Sequence, residues 1–464
     1  MTAGDGYGDR TRRSKPRLPG SDPFWENESA GFERREHRAL YTPPYYPMAY
    51  AGTAAHSARP IRPEPMDTTV LPSNERWRSG YTVLALCVGA YFAIRFSQLL
   101  VSALVPSILG TFAVSRAAIG TVLGGMWAAY AFAQLPSGVL SDRFGPRSIV
   151  LAGVGLTAVA GLLLAGTPSF ALFGVFLGLL GVGAGLYYNA ATALLTGRFD
   201  AIGQAIGIHR IGDPAAGLLA PPIAAALALR YGWRVALGVG VAVSLLVLGA
   251  FARCVPATRS VEEDQSLREL LAPRYLLALL SRPTLASTTV LAVFAEFVGL
   301  ATMSLLPTFL VQHHGYTLLR AGLLFSVLAA IRGVLQPLAG RASDRLGRDR
   351  VLALMMGAGV LGYGPLSSST AFVLAVPAVV LAGIAMSWAL PLQSRAIDGL
   401  TESEQGAGFG LVRTIYILSG ALGTAVTGLV ADVAGWGASF LVLTALLTIA
   451  FLLLLANHAL GEWD

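Results

Sequence analysis

Lysine is almost missing from this chain: Lys15 is the only one, and arginine supplies the rest of the basic charge. Cysteine is nearly as scarce, with Cys87 and Cys254 far apart on apolar segments. That spacing gives neither a CxxC pair nor a metal-ligand pattern. Both cysteines read as small buried hydrophobes. Charge is scarce too, at 13% of residues, about half the usual share of a soluble protein. Also missing are a Gly-x-Ser-x-Gly elbow, a phosphate loop and a His/Glu metal-ligand spacing. No catalytic residue, metal or cofactor is expected, and the chain does not read as an enzyme. His313-His314 reads as an interfacial pair.

What the chain has in excess is apolar residues, 54% of the total, with a mean hydropathy of +0.62. They come in runs that reach about 20 residues, the length that crosses a bilayer. About twelve spans are expected from Tyr81 onward, near 81–107, 115–140, 147–166, 169–196, 203–229, 234–253, 284–311, 318–340, 351–368, 371–394, 405–431 and 437–458. The widest gap, 254–283, is charged and divides the spans into two sets of six. The expected fold is an all-α integral membrane protein, with one six-helix bundle over 79–253, a linker over 254–283 and a second bundle over 284–464.

Residues 1–78 are polar and rich in Pro and Arg, with no apolar signal-peptide core. They read as a disordered cytoplasmic tail, or as a segment preceding a start at Met66. The net charge of +7 reflects basic loops rather than nucleic-acid binding. Arginines such as Arg143, Arg147, Arg198, Arg253, Arg282 and Arg395 crowd the loops of one side. The opposite loops hold Arg116, Arg230, Arg234 and Arg320. The positive-inside rule then places both termini in the cytoplasm of a multi-pass plasma-membrane protein.

One loop pattern occurs twice. Gly138, Asp142, Arg143, Gly145 and Arg147 form the first copy, and Gly340, Asp344, Arg345, Gly347 and Arg348 the second, about 202 residues on. Other features repeat at nearly the same offset: Pro106 with Pro307, Gly207-Ile-His-Arg210 with Gly410-Leu-Val-Arg413, and Gly232-Trp233 with Gly435-Trp436. This is a duplication of a six-helix unit, the parallel-repeat architecture of transporters. The loop glycines allow close helix approach. Asp142 can accept from helix-terminal amides or pair with an arginine.

The chain resembles the major facilitator superfamily over about residues 80–460. The resemblance rests on the two copies of the G-x-x-x-D-R-x-G loop, with Pro146 replacing the first basic residue of the first copy. The glycine-rich run Gly181–Asn189 is similar to the family's helix-4 motif, with Leu177 where an arginine is expected. The glycines and prolines of the fifth span do not match the Gly-Pro motif of drug/proton antiporters. The resemblance implies two pseudo-symmetric bundles, a gating role for the repeated loops, and a central cavity lined by spans 1 and 7.

Charges inside a membrane need a partner or a task. Arg95 lies mid-span 1 on a polar stripe with Tyr91, Gln98 and Ser102. Glu296 lies mid-span 7, and each precedes its paired proline by eleven residues. The two could meet, either as a structural ion pair or as a substrate and coupling site. Arg332 stands opposite Tyr130 in the repeat. Tyr188, Asn189 and Trp388 could complete the lining. Arg210 and Arg413 read as snorkelling or ion-paired residues near the cytoplasm.

Three functions remain open at this level. The first is proton-coupled transport of a small organic solute, with an anion held by Arg95 and Arg332 and a proton by Glu296. Organophosphate antiporters carry arginine in both spans 1 and 7, a pattern that Glu296 breaks. The second is efflux of amphipathic cations with Glu296 as counter-ion. The third is a non-transporting membrane sensor acting through 1–78. The expected partners are a small-molecule substrate, a proton and the lipid bilayer, for a monomer without nucleic acid.

Overall fold

The computed structural model describes residues 73–258, 278–401 and 404–459. The tail expected over 1–78 and the linker over 254–283 therefore lie largely outside the described residues. Among the described residues every regular element is a helix.

The first bundle comprises α1 (Ser73–Phe112), α2 (Arg116–Phe144), α3 (Pro146–Ala165), α4 (Phe170–Thr196), α5 (Ile202–His209), α6 (Gly212–Tyr231) and α7 (Trp233–Cys254). The second comprises α8 (Pro283–Gln312), α9 (Leu318–Leu346), α10 (Arg348–Ser368), α11 (Phe372–Ala385), α12 (Ala389–Asp398) and α13 (Gln405–Ala459). Among the described residues ten helices are long and apolar enough to cross a membrane, or eleven with α2, whose two parts bend by 47°. Pro136 sits at that bend and removes a backbone donor there. The last two expected spans are the two runs of α13 on either side of Gly435, which is non-helical at φ 85°, ψ 165°.

The starts of α2, α4 and α9 are capped by Ser115, Ser169 and Thr317, whose hydroxyls accept from backbone amides one turn on. The duplication is written into the backbone as well. The left-handed residues among those described fall into three repeat pairs: Ala113 with Gly315, Gly145 with Gly347, and Gly232 with Gly435. Each pair marks the same turn in both bundles.

Outward faces carry large apolar side chains such as Leu162, Val175, Leu246 and Val373, exposed as a lipid-facing surface requires. Cys87 is buried, as expected, but Cys254 is exposed at the end of α7.

The bundles meet through small residues on the side away from the repeated loops. A Cβ on Gly124 would lie 2.5 Å from the Ala421 carbonyl oxygen, and one on Gly428 would lie 2.4 Å from that of Arg116. Between α6 and α9, a Cβ on Gly322 would lie 3.0 Å from the Pro221 carbonyl oxygen. Such backbone contact is possible only where a side chain is missing. One apolar core runs through both bundles. A second cluster, with Val83, Cys87, Ile149, Tyr187 and Phe251, fills the loop-side end of the first bundle by itself.

Candidate functional site

A cavity of about 110 Å³ lies between the bundles. α1 contributes Tyr91 and Arg95, one helical turn apart, and α2 contributes Trp127 and Tyr130. Arg210 comes from the turn between α5 and α6, and Asp213 from the first turn of α6. From the second bundle come Glu296 and Met303 on α8, Arg332 on α9, and Arg413 and Tyr416 on α13. Met386 and Trp388 line it from the break between α11 and α12. At both places the backbone stays right-handed, and each pair of helices still forms one span.

The charged groups form a defined network. Arg95 Nε donates to Asp213 Oδ1 at 2.5 Å, and Arg95 Nη1 donates to Gln98 Oε1 at 2.8 Å. The other Asp213 oxygen lies 3.2 Å from Arg332 Nη2. One carboxylate thus joins an arginine of each bundle. Gly212 makes this possible: a Cβ there would lie 2.8 Å from the backbone of Phe92 and Val88, so α6 starts against α1. The Arg95 guanidinium carbon is also 5.2 Å from the centre of the Trp127 ring, a cation–π distance.

Just beyond the cavity the two bundles are stitched by serines at equivalent repeat positions. The Ser102 hydroxyl lies 2.6 Å from the Met303 carbonyl and 2.9 Å from that of Ser304. Trp127 Nε1 donates to Ser304 Oγ at 2.9 Å. At the start of α2, away from the repeated loops, Asp432 of α13 accepts from the backbone amides of Arg116 and Ala117 at 2.9 and 2.8 Å. A carboxylate from one bundle thereby caps a helix of the other.

Of the residues expected from sequence, Arg95, Glu296, Arg332, Tyr91, Tyr130 and Trp388 all line this cavity. Gln98 stands behind Arg95 as its hydrogen-bond acceptor. Tyr188 lies under Arg413, whose guanidinium carbon is 4.7 Å from the ring centre. Asn189 turns away and donates to the Gln134 carbonyl at 2.9 Å. The expected meeting of Arg95 with Glu296 is replaced by the Arg95–Asp213 pair. Glu296 lines the same cavity within electrostatic reach of Arg332, Arg95 and Arg413.

Arg210 and Arg413 do not snorkel away; both line the cavity, as do Trp127, Asp213 and Tyr416. The repeat offset could have found them. Arg210 and Arg413 are equivalent positions, and so are Asp213 and Tyr416, just as Arg95 matches Glu296 and Tyr130 matches Arg332.

The repeated loops bind chiefly within their own bundles. Arg147 donates to the carbonyls of Val255 and Ala252, both at 2.7 Å, and so caps the end of α7. Arg143 lies over the neighbouring Phe144 ring. In the second copy Arg348 contacts Asp344 and reaches Asp398 at 3.1 Å, while the next residue, Asp349, holds Arg395 at 2.6 Å. Gly145 and Gly347 have φ of 81° and 93°, conformations that side chains disfavour. A Cβ on Gly138 would meet nothing within 4 Å, and one on Gly340 would meet only Leu390 at 3.4 Å. The close approach expected at these two glycines is not the geometry here, because the bundles pack on the other side.

Comparison with known proteins places this architecture. The family model of the Major Facilitator Superfamily matches residues 87–334 and 306–461. The probable sulfoacetate transporter SauU of Cupriavidus necator is 25% identical over 410 residues, covering 82% of this chain and 94% of that protein. An uncharacterized MFS-type transporter of Mycobacterium tuberculosis is 29% identical over 215 residues, 45% of this chain, and the match spans 46% of that relative. Among solved structures, a variant of the nucleoside transporter NupG superposes with a TM-score of 0.72 at 14% identity, covering 81% of this chain and 99% of that one. An inward-facing, occupied bacterial homolog of the human lysosomal transporter Spinster gives 0.69 at 18% identity, covering 81% and 96%. The D-xylose-proton symporter gives 0.66 at 17% identity, covering 81% and 97%. With two repeated bundles around a central cavity and a family match over most of its length, the chain belongs to the Major Facilitator Superfamily and is a multi-pass membrane transporter.

Proposed function

We propose that the protein carries a small organic anion across the plasma membrane by alternating access, coupled to protons, as a monomer with both termini in the cytoplasm. The observation that carries this reading is the cavity's charge: four arginines, Arg95, Arg210, Arg332 and Arg413, face two carboxylates, Asp213 and Glu296. Buried positive charge in excess needs a counter-ion, and guanidinium groups bind carboxylate, sulfonate or phosphate oxygens in a fork. The same excess repels a cation and disfavours the efflux of cationic compounds. The likeness to a probable sulfoacetate transporter over nearly its whole length supports an anionic substrate.

Glu296 is the proton carrier in this scheme. Among the described residues it makes no ion pair within 4 Å, so its protonation breaks no salt bridge. An anion arriving beside it alters the local field, and proton uptake offsets the added negative charge. The bundles then rock about the cavity, closing the loop side and parting the contacts of Ser102 with Ser304 and of Asp432 with the start of α2.

Uptake into proteoliposomes under an imposed pH gradient tests this, with pooled organic anions and cations and with Glu296→Gln and Arg95→Ala beside the wild type. Proton-driven anion flux that disappears in both variants is the expected result. Cation flux lost only with Glu296→Gln would replace this reading with efflux.

A further inference from the structure

Two of the four cavity arginines are left without a carboxylate. Asp213 is shared by Arg95 and Arg332, at 2.5 and 3.2 Å. Among the described residues neither Arg210 nor Arg413 makes an ion pair within 4 Å. Arg413 rests on the Tyr188 ring, and its Nε is buried with no hydrogen-bond partner. An orphaned, charged N–H inside a protein is costly. Here it belongs to a side chain that lines a cavity.

Arg210 and Arg413 also have matching places. They are equivalent positions of the duplication, one from each bundle, and both act electrostatically on the Tyr188 hydroxyl. With both carboxylates ionised, the six charged side chains of the cavity leave two positive charges in excess. The volume of about 110 Å³ is well below the roughly 300 Å³ or more of a site for drug-sized molecules. Between the charged groups the wall is apolar or aromatic, with Trp127, Leu300, Met303 and Trp388.

We infer that Arg210 and Arg413 form a second oxyanion subsite, one arm from each bundle, and that the substrate class is a short dianion with an oxyanion group at each end. One group sits between Arg210 and Arg413. The other engages Arg95 and Arg332, where it takes the place of Asp213. The carbon body lies against the apolar wall. This rests on the reading of the cavity as an anion site.

The test is equilibrium binding to the full-length protein in lipid nanodiscs at neutral pH. Dicarboxylates of three to six carbons are compared with monocarboxylates of the same length, for wild type, Arg210→Gln, Arg413→Gln and Arg413→Lys. A dicarboxylate of one length should bind wild type about tenfold or more tighter than its monocarboxylate partner. Each glutamine variant should abolish that preference, weakening the dicarboxylate about tenfold more than the monocarboxylate. Arg413→Lys should keep part of the preference, which guards against a merely misfolded variant. Equal binding of both series by wild type overturns the subsite and leaves the anion reading standing. So does parallel weakening of both series in the glutamine variants, the pattern of a structural role. Binding of neither series, nor of sulfonates and phosphonates of the same lengths, by a protein with a normal melting curve overturns the anion reading and the subsite with it.

Discussion

Asp213 and Arg332 stand in different bundles, yet their side chains form an ion pair of 3.2 Å, while the second oxygen of the same carboxylate holds Arg95 at 2.5 Å. A single acidic side chain thus occupies the place an anionic ligand would take. It offsets one of the two positive charges and fastens the middle of one bundle to the other.

Removing that charge should be costly and rescuable. Asp213→Asn leaves buried Arg95 and half-buried Arg332 without this counter-ion, which costs about 3 kcal/mol. A bound organic anion at roughly 100 times its dissociation constant should restore about 2.7 kcal/mol. Thermal unfolding in detergent with and without the anion reads both effects. A variant destabilised to the same extent with and without anion would show that Asp213 is a structural partner only.

Ala113 is the one non-glycine residue with positive φ among those described, at 50°, and its repeat partner is Gly315 at 69°. A left-handed conformation costs an L-residue about 1–2 kcal/mol, partly offset by the greater unfolded-chain freedom of glycine. Ala113→Gly should therefore raise stability by about 0.5–1 kcal/mol. An unchanged or lower melting temperature would contradict the strain.

The glycines on the two sides should respond differently. A Cβ on Gly124 would press on the Ala421 carbonyl at 2.5 Å, whereas one on Gly138 meets open space. Gly124→Ala should cost about 1–3 kcal/mol, and Gly138→Ala should stay within about 0.5 kcal/mol of wild type. Equal melting temperatures for the two variants would deny the tight contact between α2 and α13.

Glu404 gives a pH signature outside the membrane. Its carboxylate accepts from Arg282 at 2.6 and 2.7 Å and from the Thr401 amide at 3.1 Å. The Arg282 guanidinium, helped by that amide, holds the carboxyl down at about 2 against an ordinary 4.5. The folded protein therefore binds this proton more weakly than the unfolded chain. The contribution is complete above about 4.5 and is lost as pH falls towards about 2. The stability difference between wild type and Glu404→Gln should be constant from neutral pH down to about 5 and shrink below it. A difference that varies between pH 6 and 8 would point to another group.

Much of this architecture was legible in the residues. Long apolar runs gave the helices, and the offset near 202 gave the two bundles and the matching of Arg95 with Glu296. The partner of Arg95 was not legible. Helical spacing marks which residues share a face but not which neighbour they meet, and the missing Cβ of Gly212 is what brings α6 against Val88 and Phe92 of α1. Asp213, the next residue, then reaches Arg95. Asn189 illustrates the same limit: its helix was clear, but its facing depended on a carbonyl of α2 that no sequence pattern marks.

The equivalent positions of the duplication carry unlike groups. Arginine faces glutamate at one pair, tyrosine faces arginine at another and aspartate faces tyrosine at a third, while Arg210 and Arg413 alone repeat their chemistry. The backbone is nearly two-fold, but its electrostatic lining has a direction. A molecule with two different ends therefore meets two different environments and settles in one orientation. It would present the same end first at every turnover, although the helices around it are nearly symmetric.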